Sequence, residues 1–443
     1  MKTPASPPPL SELLDEATKK KKLIALVQRA PELVGSPRYR HWDKLRRLTP
    51  PAGLTHREWW LILKLGRTTD YRQCPLRSTK AEPFRYTLSD PTSEYLRDID
   101  SRASGTIAVA DPIANPEFKD RYLINSLVAE AITSSQLEGA ATTREVAKEM
   151  IRTGRPPRDV DERMIFNNFL TMQKIGTLRD ESLTPEMTFE LHRMVTEGTL
   201  EDPNDAGRLR RSDRAIDVRD FRNTVFHVPP AAEELEGRLA AMCDFANGIT
   251  PKGFMHPVIR SIILHFWLAY DHPFADGNGR TARALFYWSM LHQGYWLCEF
   301  ISISEIVRKA PAKYGRAFLY TETDDNDLTY FVLYHLDVIR RAIDHVHKYV
   351  DRKTSELRLL ERRMRSVAAL NHRQQALISH ALRHPHQVYS IKSHRLSHKV
   401  VYQTARSDLL ELAERGFLTA SKDKNEWRFM PVPDLDERLR APG

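Results

Sequence analysis

Residues 271–288 have the sequence DHPFADGNGRTARALFYW, in which a loop rich in glycine lies between two apolar stretches. The preceding stretch, 258–270, and the one that begins near Arg280 both repeat apolar residues at the spacing of a helix. Strand signals are scarce on either side of them. We therefore predict a tight loop over 272–279 that joins two helices, within a mainly α fold.

The loop has the residue types that a phosphate site needs. Gly277 and Gly279 permit backbone angles that other residues avoid, so consecutive N–H groups can converge on one anion. These amides also open a helix, whose positive end favours phosphate. Arg280 and Arg283 are three residues apart and therefore neighbours on that helix, where two guanidinium groups can grip the outer phosphates of a triphosphate.

The remaining residues of the loop supply the other parts of a transfer site. Asp276 offers a hard oxygen ligand for Mg²⁺, which takes its other ligands from phosphate and water. His272 precedes the loop, where a neutral imidazole can accept the proton of an attacking hydroxyl. Asn278 can donate to the phosphate under attack, and Phe274 is expected to hold the loop in the core. Each residue alone also fits a structural role, and DGNG alone fits a plain turn; their joint occurrence favours chemistry.

Eight of these residues reproduce a signature, HxFxDGNGRxxR, that resembles the one found in Fic domain enzymes: His272, Phe274, Asp276, Gly277, Asn278, Gly279, Arg280 and Arg283. The resemblance implies a Fic-type helical bundle with a small β-hairpin flap. It also implies a protein adenylyltransferase, which transfers AMP from ATP to a Ser, Thr or Tyr hydroxyl of a protein. In that family the histidine is the general base, the aspartate binds Mg²⁺, the loop holds the phosphates of ATP, and the two arginines contact its β and γ ends.

The resemblance leaves the transferred group and the target open. Other members of the family transfer phosphate or phosphocholine with a similar loop, although the intact loop here favours AMP. The target protein is unknown, and self-modification is included among the alternatives.

A second motif lies upstream, where residues 134–139 have the sequence SSQLEG. Ser134, Glu138 and Gly139 resemble the inhibitory pattern of the Fic family, although a glutamate at a helix end is often only solvated. The resemblance implies that Glu138 offers Arg283 a carboxylate in place of the γ-phosphate and misaligns ATP. In some relatives the same glutamate helps water to remove AMP from the modified protein, so the direction of the reaction stays open.

The stretch 207–230, GRLRRSDRAIDVRDFRNTVFHVPP, resembles the flap of the same family, a hairpin that pairs with the backbone of the target. Its alternating apolar residues predict a short hairpin over 215–228.

Helical periodicity sets the other elements. A helix is expected from about Pro116 to near Gly139, and a second one from Thr142, where Glu145 completes a capping-box spacing, toward Ile151. Further helices are expected over about 160–177, 185–196, 231–246, 256–270, 280–292 and 328–350.

We predict five regions along the chain. Met1 to about Leu10 carries four prolines and little to bury, so we expect an unstructured lead-in, which we extend over 1–20. The other regions are an accessory helical region (21–109), the catalytic domain (110–350), a linker helix (351–370) and a C-terminal domain (371–443).

The C-terminal domain is predicted to have the order helix (373–382), short helix (389–395), turn near Leu396, helix (400–415) and hairpin (416–420 with 427–431). This order resembles a winged helix-turn-helix domain. From 371 to 443, twelve Lys and Arg stand against eight Asp and Glu, a net charge of +4 that suits DNA. The expected DNA contacts are at the start of the third helix: Lys399, Tyr402, Gln403 and Arg406. Such domains also serve in protein binding or in a homodimer.

The composition indicates a globular protein and shows no sign of a secreted or membrane-bound class. The 443 residues include 67 Lys and Arg against 58 Asp and Glu, so the net charge of +9 favours polyanions such as nucleotides. Three distant cysteines exclude a disulfide framework and a paired-thiol metal site. We find no apolar segment long enough to span a membrane and expect a cytoplasmic protein. Because the chain and its C-terminal domain are basic, a second class of function stays open: a DNA-binding transcriptional regulator that uses the nucleotide-binding domain as a sensor.

Overall fold

The computed structural model describes residues 2–29, 39–88, 90–104, 116–213, 216–219, 224–366, 370–385, 387–423 and 426–439. They fall into two compact units. The described residues of 1–107 and 122–346 form the first unit, and those of 108–121 and 347–443 form the second. Both units are mainly helical, which confirms the predicted fold class. The region N-terminal to the predicted catalytic domain thus belongs to the same unit as that domain, and our domain boundaries stay a prediction.

The described residues of the first part of this unit form five helices and a β-hairpin: α1 (Leu10–Lys19), α2 (Leu23–Gln28), α3 (Trp42–Leu45), α4 (His56–Thr68), β1 (Arg72–Arg77), β2 (Pro83–Tyr86) and α5 (Asp90–Ala103). Thr55 and Glu58 close a capping box at the start of α4. The two strands are antiparallel.

The prediction of an unstructured lead-in over 1–20 is wrong for α1. Leu13 and Ala17, four residues apart on one face, are buried in a cluster with side chains of α4. The Arg57 Nε of α4 also donates to Glu16 at 2.9 Å. The prolines before residue 10 concealed this amphipathic stretch because they dominate the composition of the segment.

The predicted catalytic region lies mainly in the first unit and has these elements: α6 (Pro116–Leu137), α7 (Arg144–Thr153), α8 (Val160–Thr177), α9 (Pro185–Thr196), β3 (Val218–Arg219), β4 (Val225–His227), α10 (Leu235–Ala246), α11 (Pro257–Asp271), α12 (Asn278–His292), α13 (Ile303–Arg308), α14 (Pro311–Thr323) and α15 (Thr329–Ser366). The residues of α6 before 122 and those of α15 after 346 belong to the second unit. Helices α11 and α12 are the centre of the first unit: they pack against each other, and α12 also packs against α8 and α9. Ile263, Phe266, Leu285 and Trp288 are all 0% exposed, so both central helices are buried on most faces.

The predicted helices of this region are present, with three differences at their ends. The helix expected from Thr142 is capped by Thr143 instead, whose side chain accepts from Val146 N at 3.4 Å. The helix expected at 231 begins at Leu235, after a 3₁₀ turn over Ala232–Glu234. The helix expected over 328–350 runs on to Ser366, through most of the predicted linker. The added stretch contains neither Gly nor Pro, so nothing in it breaks a helix.

The described residues from 370 to 439, in the second unit, form three helices, a three-stranded antiparallel sheet and a short final helix: α16 (His372–Arg383), β5 (Tyr389–Ser390), α17 (Ile391–His398), α18 (Tyr402–Glu414), β6 (Leu418–Asp423), β7 (Glu426–Pro431) and α19 (Leu435–Arg438). The strand order is β5-β7-β6. Ile378, Ala405, Leu409 and Phe429 are 0% exposed and form its core.

Two predictions for this unit are wrong in detail. Tyr389 begins a strand and not a helix, and the helix starts only after Ser390, whose side chain accepts from Ser393 N. The turn lies at Lys399, with φ +53°, and not near Leu396. The pairing of β5 with β7 is a contact between distant segments, which local patterning does not show. The identification as a winged helix-turn-helix stays a prediction.

Candidate active site

The loop between α11 and α12 is closed by its own side chains. Helix α11 ends at His272, which has a left-handed φ of +45°. The amide of Asn278 accepts from Phe274 N at 3.0 Å and donates to Phe274 O at 2.8 Å. Phe274 is fully buried, as predicted for a residue that holds the loop in the core. Asn278 therefore fixes the loop in this structure, and its predicted contact with phosphate stays a prediction.

Both glycines of the loop have close neighbours where a Cβ would lie, and Gly277 also has a left-handed backbone. Gly277 has φ +81°, and a Cβ there would lie 2.5 Å from Thr196 Cγ2. A Cβ on Gly279 would lie 2.1 Å from Glu138 Oε1. The carboxylate of Glu138 thus lies directly against the first turn of α12, where the unpaired amides and the helix dipole favour an anion.

Arg283 makes three hydrogen bonds to the predicted inhibitory segment, residues 134–139. Its Nη2 donates to Glu138 Oε1 at 2.7 Å and to Ser134 O at 3.0 Å, and its Nε donates to Ser134 Oγ at 2.8 Å. The Arg283 side chain is 3% exposed. Burial lowers the pKa of Arg283, but Glu138, together with Tyr314 and Glu130, raises it above its ordinary value. The residues of the two motifs, about 145 positions apart, therefore meet as the resemblance implied.

Arg280 and Asp276 have different surroundings. The Arg280 guanidinium is buried: Nη1 donates to Val195 O at 2.7 Å and Nη2 to Asp276 Oδ2 at 3.4 Å. Arg280 Nε is buried and has no hydrogen-bond partner among the residues that the structure describes. The Asp276 side chain is 63% exposed, so its carboxylate is accessible to a ligand.

His272 is half-buried and neutral at physiological pH. Burial lowers its pKa to about 4, although a hydrogen bond with the Ala269 backbone acts in the opposite direction. The adjacent Asp271 points away from it: its carboxylate accepts from Arg238 Nη2 at 2.6 Å and from Trp267 Nε1 at 3.0 Å. The imidazole can therefore accept a proton, as a general base must.

Sequence reasoning missed Arg210, which holds the backbone beside His272. Arg210 Nε donates to His272 O at 3.0 Å, its backbone N donates to Pro273 O at 2.8 Å, and its Nη2 donates to Pro230 O. This guanidinium therefore joins the two ends of the predicted flap to the loop. Nothing distinguishes Arg210 in the sequence, because it lies among several arginines of a basic stretch.

A short hairpin is present where the flap is predicted. Val218 pairs with His227 and Arg219 with Val225 in antiparallel register. The His227 ring bonds to Tyr270 O at 2.6 Å and to Glu322 at 2.7 Å, which attaches β4 to the core. Residues 214–215 and 220–223 of the predicted flap lie outside the described residues.

The four predicted DNA contacts lie together at the start of α18. Lys399 and Gln403 are exposed, Tyr402 is 52% exposed, and Arg406 is half-buried.

Two absences can be stated for the described ranges of the chain. They contain no group of three or more His, Cys, Asp or Glu side chains arranged to hold a metal ion. None of their helices combines the length and the apolar character that crossing a membrane requires.

Known proteins resemble this chain around the same site. Residues 182–290, which include the whole loop, match the Fic/DOC family. The protein adenylyltransferase Fic of Nematostella vectensis is 29% identical over 217 residues, which cover 49% of this chain and 47% of that protein. The protein of the same name from Drosophila willistoni is 31% identical over 136 residues, 31% of this chain and 24% of that protein. The chain thus spans less than half the length of these relatives. A Fic family protein from Desulfovibrio desulfuricans shares the fold, with a TM-score of 0.53 at 18% identity over 79% of this chain and 98% of that structure.

Proposed function

We propose, from the Fic domain that this chain contains, that the protein transfers AMP from ATP to a Ser, Thr or Tyr hydroxyl of a protein, itself included. The observation that carries the proposal is the position of Glu138. Its carboxylate bonds to Arg283 and lies against Gly279, where an anion fits the start of α12. We infer that Glu138 takes the place of a terminal phosphate and restrains the transfer.

The residues around the loop account for each part of the reaction. The neutral His272 accepts the proton of the target hydroxyl, and the oxygen forms a bond with the α-phosphorus of ATP. The bond from that phosphorus to the bridging oxygen breaks, and pyrophosphate leaves with the electron pair. The amides of the loop stabilise the negative charge of the phosphates. The unpartnered Nε of Arg280 marks a further donor that a bound anion can satisfy.

Asp276 fits a magnesium site. It offers one accessible carboxylate beside a phosphate-binding helix start, and Mg²⁺ in such sites takes its other ligands from phosphate and water. When bound, the ion would neutralise phosphate charge during the transfer.

The names of the relatives favour AMP as the transferred group, because the proteins from Nematostella vectensis and Drosophila willistoni are both protein adenylyltransferases. Removal of AMP by water, with Glu138 as the helper, is the alternative reaction at the same site.

The test compares ATP labelled at the α-phosphate with ATP labelled at the γ-phosphate, each with Mg²⁺. If the misalignment of ATP by Glu138 raises the activation barrier by about 3 kcal/mol, Glu138→Gly should raise the incorporation of the α-label roughly a hundredfold. His272→Ala in the same background abolishes it. Glu145→Gly, which removes an exposed glutamate from α7, is the matched control and stays at the wild-type level. Incorporation of the γ-label alone would show phosphate transfer, and no rise with either label would contradict the proposal.

A second function, DNA binding, is favoured by the exposed positions of Lys399, Gln403 and Tyr402 at the positive end of α18. Duplex DNA binding should weaken steeply with salt, and Arg406→Ala should lower the affinity about tenfold. Arg438→Ala is the control, since that residue pairs with Asp434 on α19. If the two variants bind alike, or wild type does not bind at low salt, this function is wrong. A salt-independent dimer in light scattering would favour the homodimer alternative.

A further inference from the structure

His192 lies outside the signature but packs directly on the loop. It belongs to α9 and is 0% exposed. Its ring is stacked on Phe274, with the centroids 3.8 Å apart and the planes 10° from parallel. A second helix thus covers the aromatic residue that holds the loop in the core.

Both ring nitrogens of His192 bond to backbone groups near the site. Gly207 N donates to Nδ1 at 2.8 Å, and Nε2 lies 2.8 Å from Asp276 O. A backbone N–H only donates, so Nδ1 is the unprotonated acceptor. Nε2 therefore carries the proton and donates to the carbonyl of Asp276. Only one neutral tautomer satisfies both contacts.

The carbonyl that His192 binds belongs to the peptide between Asp276 and Gly277. Because a peptide unit is planar, a fixed carbonyl also fixes the direction of the N–H of the next residue. Gly277 lies close against the ring as well, since a Cβ there would be 3.3 Å from His192 Nε2. The bond on the other nitrogen attaches the ring to Gly207, the first residue of the predicted flap.

We propose that His192 is a positioning residue of the transfer site: its Nε2–H tautomer orients the peptide between Asp276 and Gly277 and joins it to the start of the flap. The proposal rests on the AMP transfer proposed above. His192 acts through Asp276 and Gly277, so its loss should displace the bound phosphates relative to His272. Misplacement of reacting groups by about 1 Å costs roughly a hundredfold in rate.

The kinetic test uses the full chain in the Glu138→Gly background. His192→Phe keeps an aromatic ring for the stack and loses both hydrogen bonds, so kcat should fall about a hundredfold while the KM for ATP moves less than about threefold. His192→Gln restores a donor and an acceptor and should recover about tenfold of the loss.

The matched control is His41→Phe. His41 is 1% exposed, stacks on Tyr320 at 4.2 Å and accepts from Asp43 N at 3.1 Å, but has no contact with the loop. Its kcat and KM should equal those of the parent. An unchanged kcat in His192→Phe, or an equal loss in both phenylalanine variants, would overturn the proposal.

A spectroscopic test is independent of activity. The ¹⁵N shifts of the His192 ring in the wild-type chain at pH 7 should show a protonated Nε2 and an unprotonated Nδ1; the opposite tautomer or a charged ring overturns the proposal. This test also decides the matter if His192→Phe does not fold. Absence of label in the Glu138→Gly parent contradicts AMP transfer itself, whereas the tautomer tests the role of His192 in shaping the loop.

Discussion

At the scale of single residues, the side chains of the loop have two roles: some fix its backbone, and others are accessible to a substrate. Asn278 and Phe274 are committed to contacts within the loop, and Arg280 is buried against α9. His272 and Asp276 are the residues that remain accessible, the first half-buried and the second exposed. Buried groups that fix a backbone and accessible groups that meet the substrate are the usual division of a preorganised site.

The pH dependence of transfer should report the burial of His272. Its pKa is about 4, below the ordinary value of about 6.5, so the ring is neutral and active at higher pH. In the Glu138→Gly variant, kcat/KM should be flat from about pH 6 to 8 and fall with an acid limb at or below about pH 4, because the Glu138 charge that raises the pKa of His272 is gone. An acid limb near pH 6.5 would contradict the lowered pKa.

The lowered pKa of His272 also makes the stability of the protein depend on pH, so the pH experiment needs a control for unfolding. Because the folded-state pKa lies below the unfolded value, this contribution to stability is complete above about pH 6.5 and is lost as the pH falls toward 4. Circular dichroism at each pH, and recovery of activity on return to pH 7, separate titration of the base from unfolding.

At the scale of elements, α12 meets three residues spaced by four: Glu130 and Ser134 of α6 contact Tyr287 and Arg283, and Glu138, the first residue after α6, lies against Gly279. Residues four apart share one helix face, so one face of α6 carries the first two contacts, and Glu138 follows at the same spacing. Glu130 is 1% exposed and also accepts from Ser302 Oγ at 2.8 Å and from Ser304 N at 3.1 Å. It fixes the position of α6 about one turn before the predicted inhibitory segment.

We expect Glu130→Gln to raise AMP incorporation about tenfold above wild type, because weaker attachment of α6 frees Glu138 from Arg283. Lost charged hydrogen bonds should also lower the free energy of unfolding by about 2–3 kcal/mol. Glu162→Gln is the matched control: it is 3% exposed and bonds to Arg155, away from the loop. Incorporation that rises equally in both variants would mean general loosening, and no rise in Glu130→Gln would contradict the expected attachment.

The sequence predicted those elements whose signals are local. Helices α8 and α9 match the predicted bounds because Asp159 and Thr184 cap them beside a clear apolar period. The loop was predicted because its residues lie within twelve positions of each other. Glu130, His192 and Arg210 were missed because their partners lie 15 to 174 positions away, and no local pattern records such contacts.

At the scale of the whole first unit, a buried ionic cluster attaches the N-terminal helices to the catalytic region. Lys64 of α4 donates to Asp324 Oδ1 at 2.7 Å, and the two side chains are 3% and 1% exposed. Tyr330 donates to Asp324 Oδ2 at 2.7 Å, and Arg67 lies 3.5 Å from the same oxygen. Burial raises the pKa of Asp324, but the positive charges of Lys64 and Arg67 lower it, and the net pKa lies below its ordinary value. The carboxylate is therefore ionised in the folded protein.

Removal of one member of this cluster should destabilise the whole unit. Asp324→Ala leaves Lys64 and Arg67 buried without their main counter-charge, at a cost of about 3–5 kcal/mol. The double variant Lys64→Met with Asp324→Leu removes charge from both sides of the closer pair, since apolar pairs of similar volume often replace buried ion pairs without cost. It should recover part of that loss, because Arg67 still lacks the Asp324 carboxylate. Urea unfolding measures the free energy of unfolding of the single and the double variant. Trp60 near the cluster and Trp288 in α12 lie in one compact unit, so their fluorescence should change in the same transition. If the double variant is as unstable as the sum of its single changes, the two residues are not coupled. Separate transitions would show that the N-terminal helices fold independently of the site.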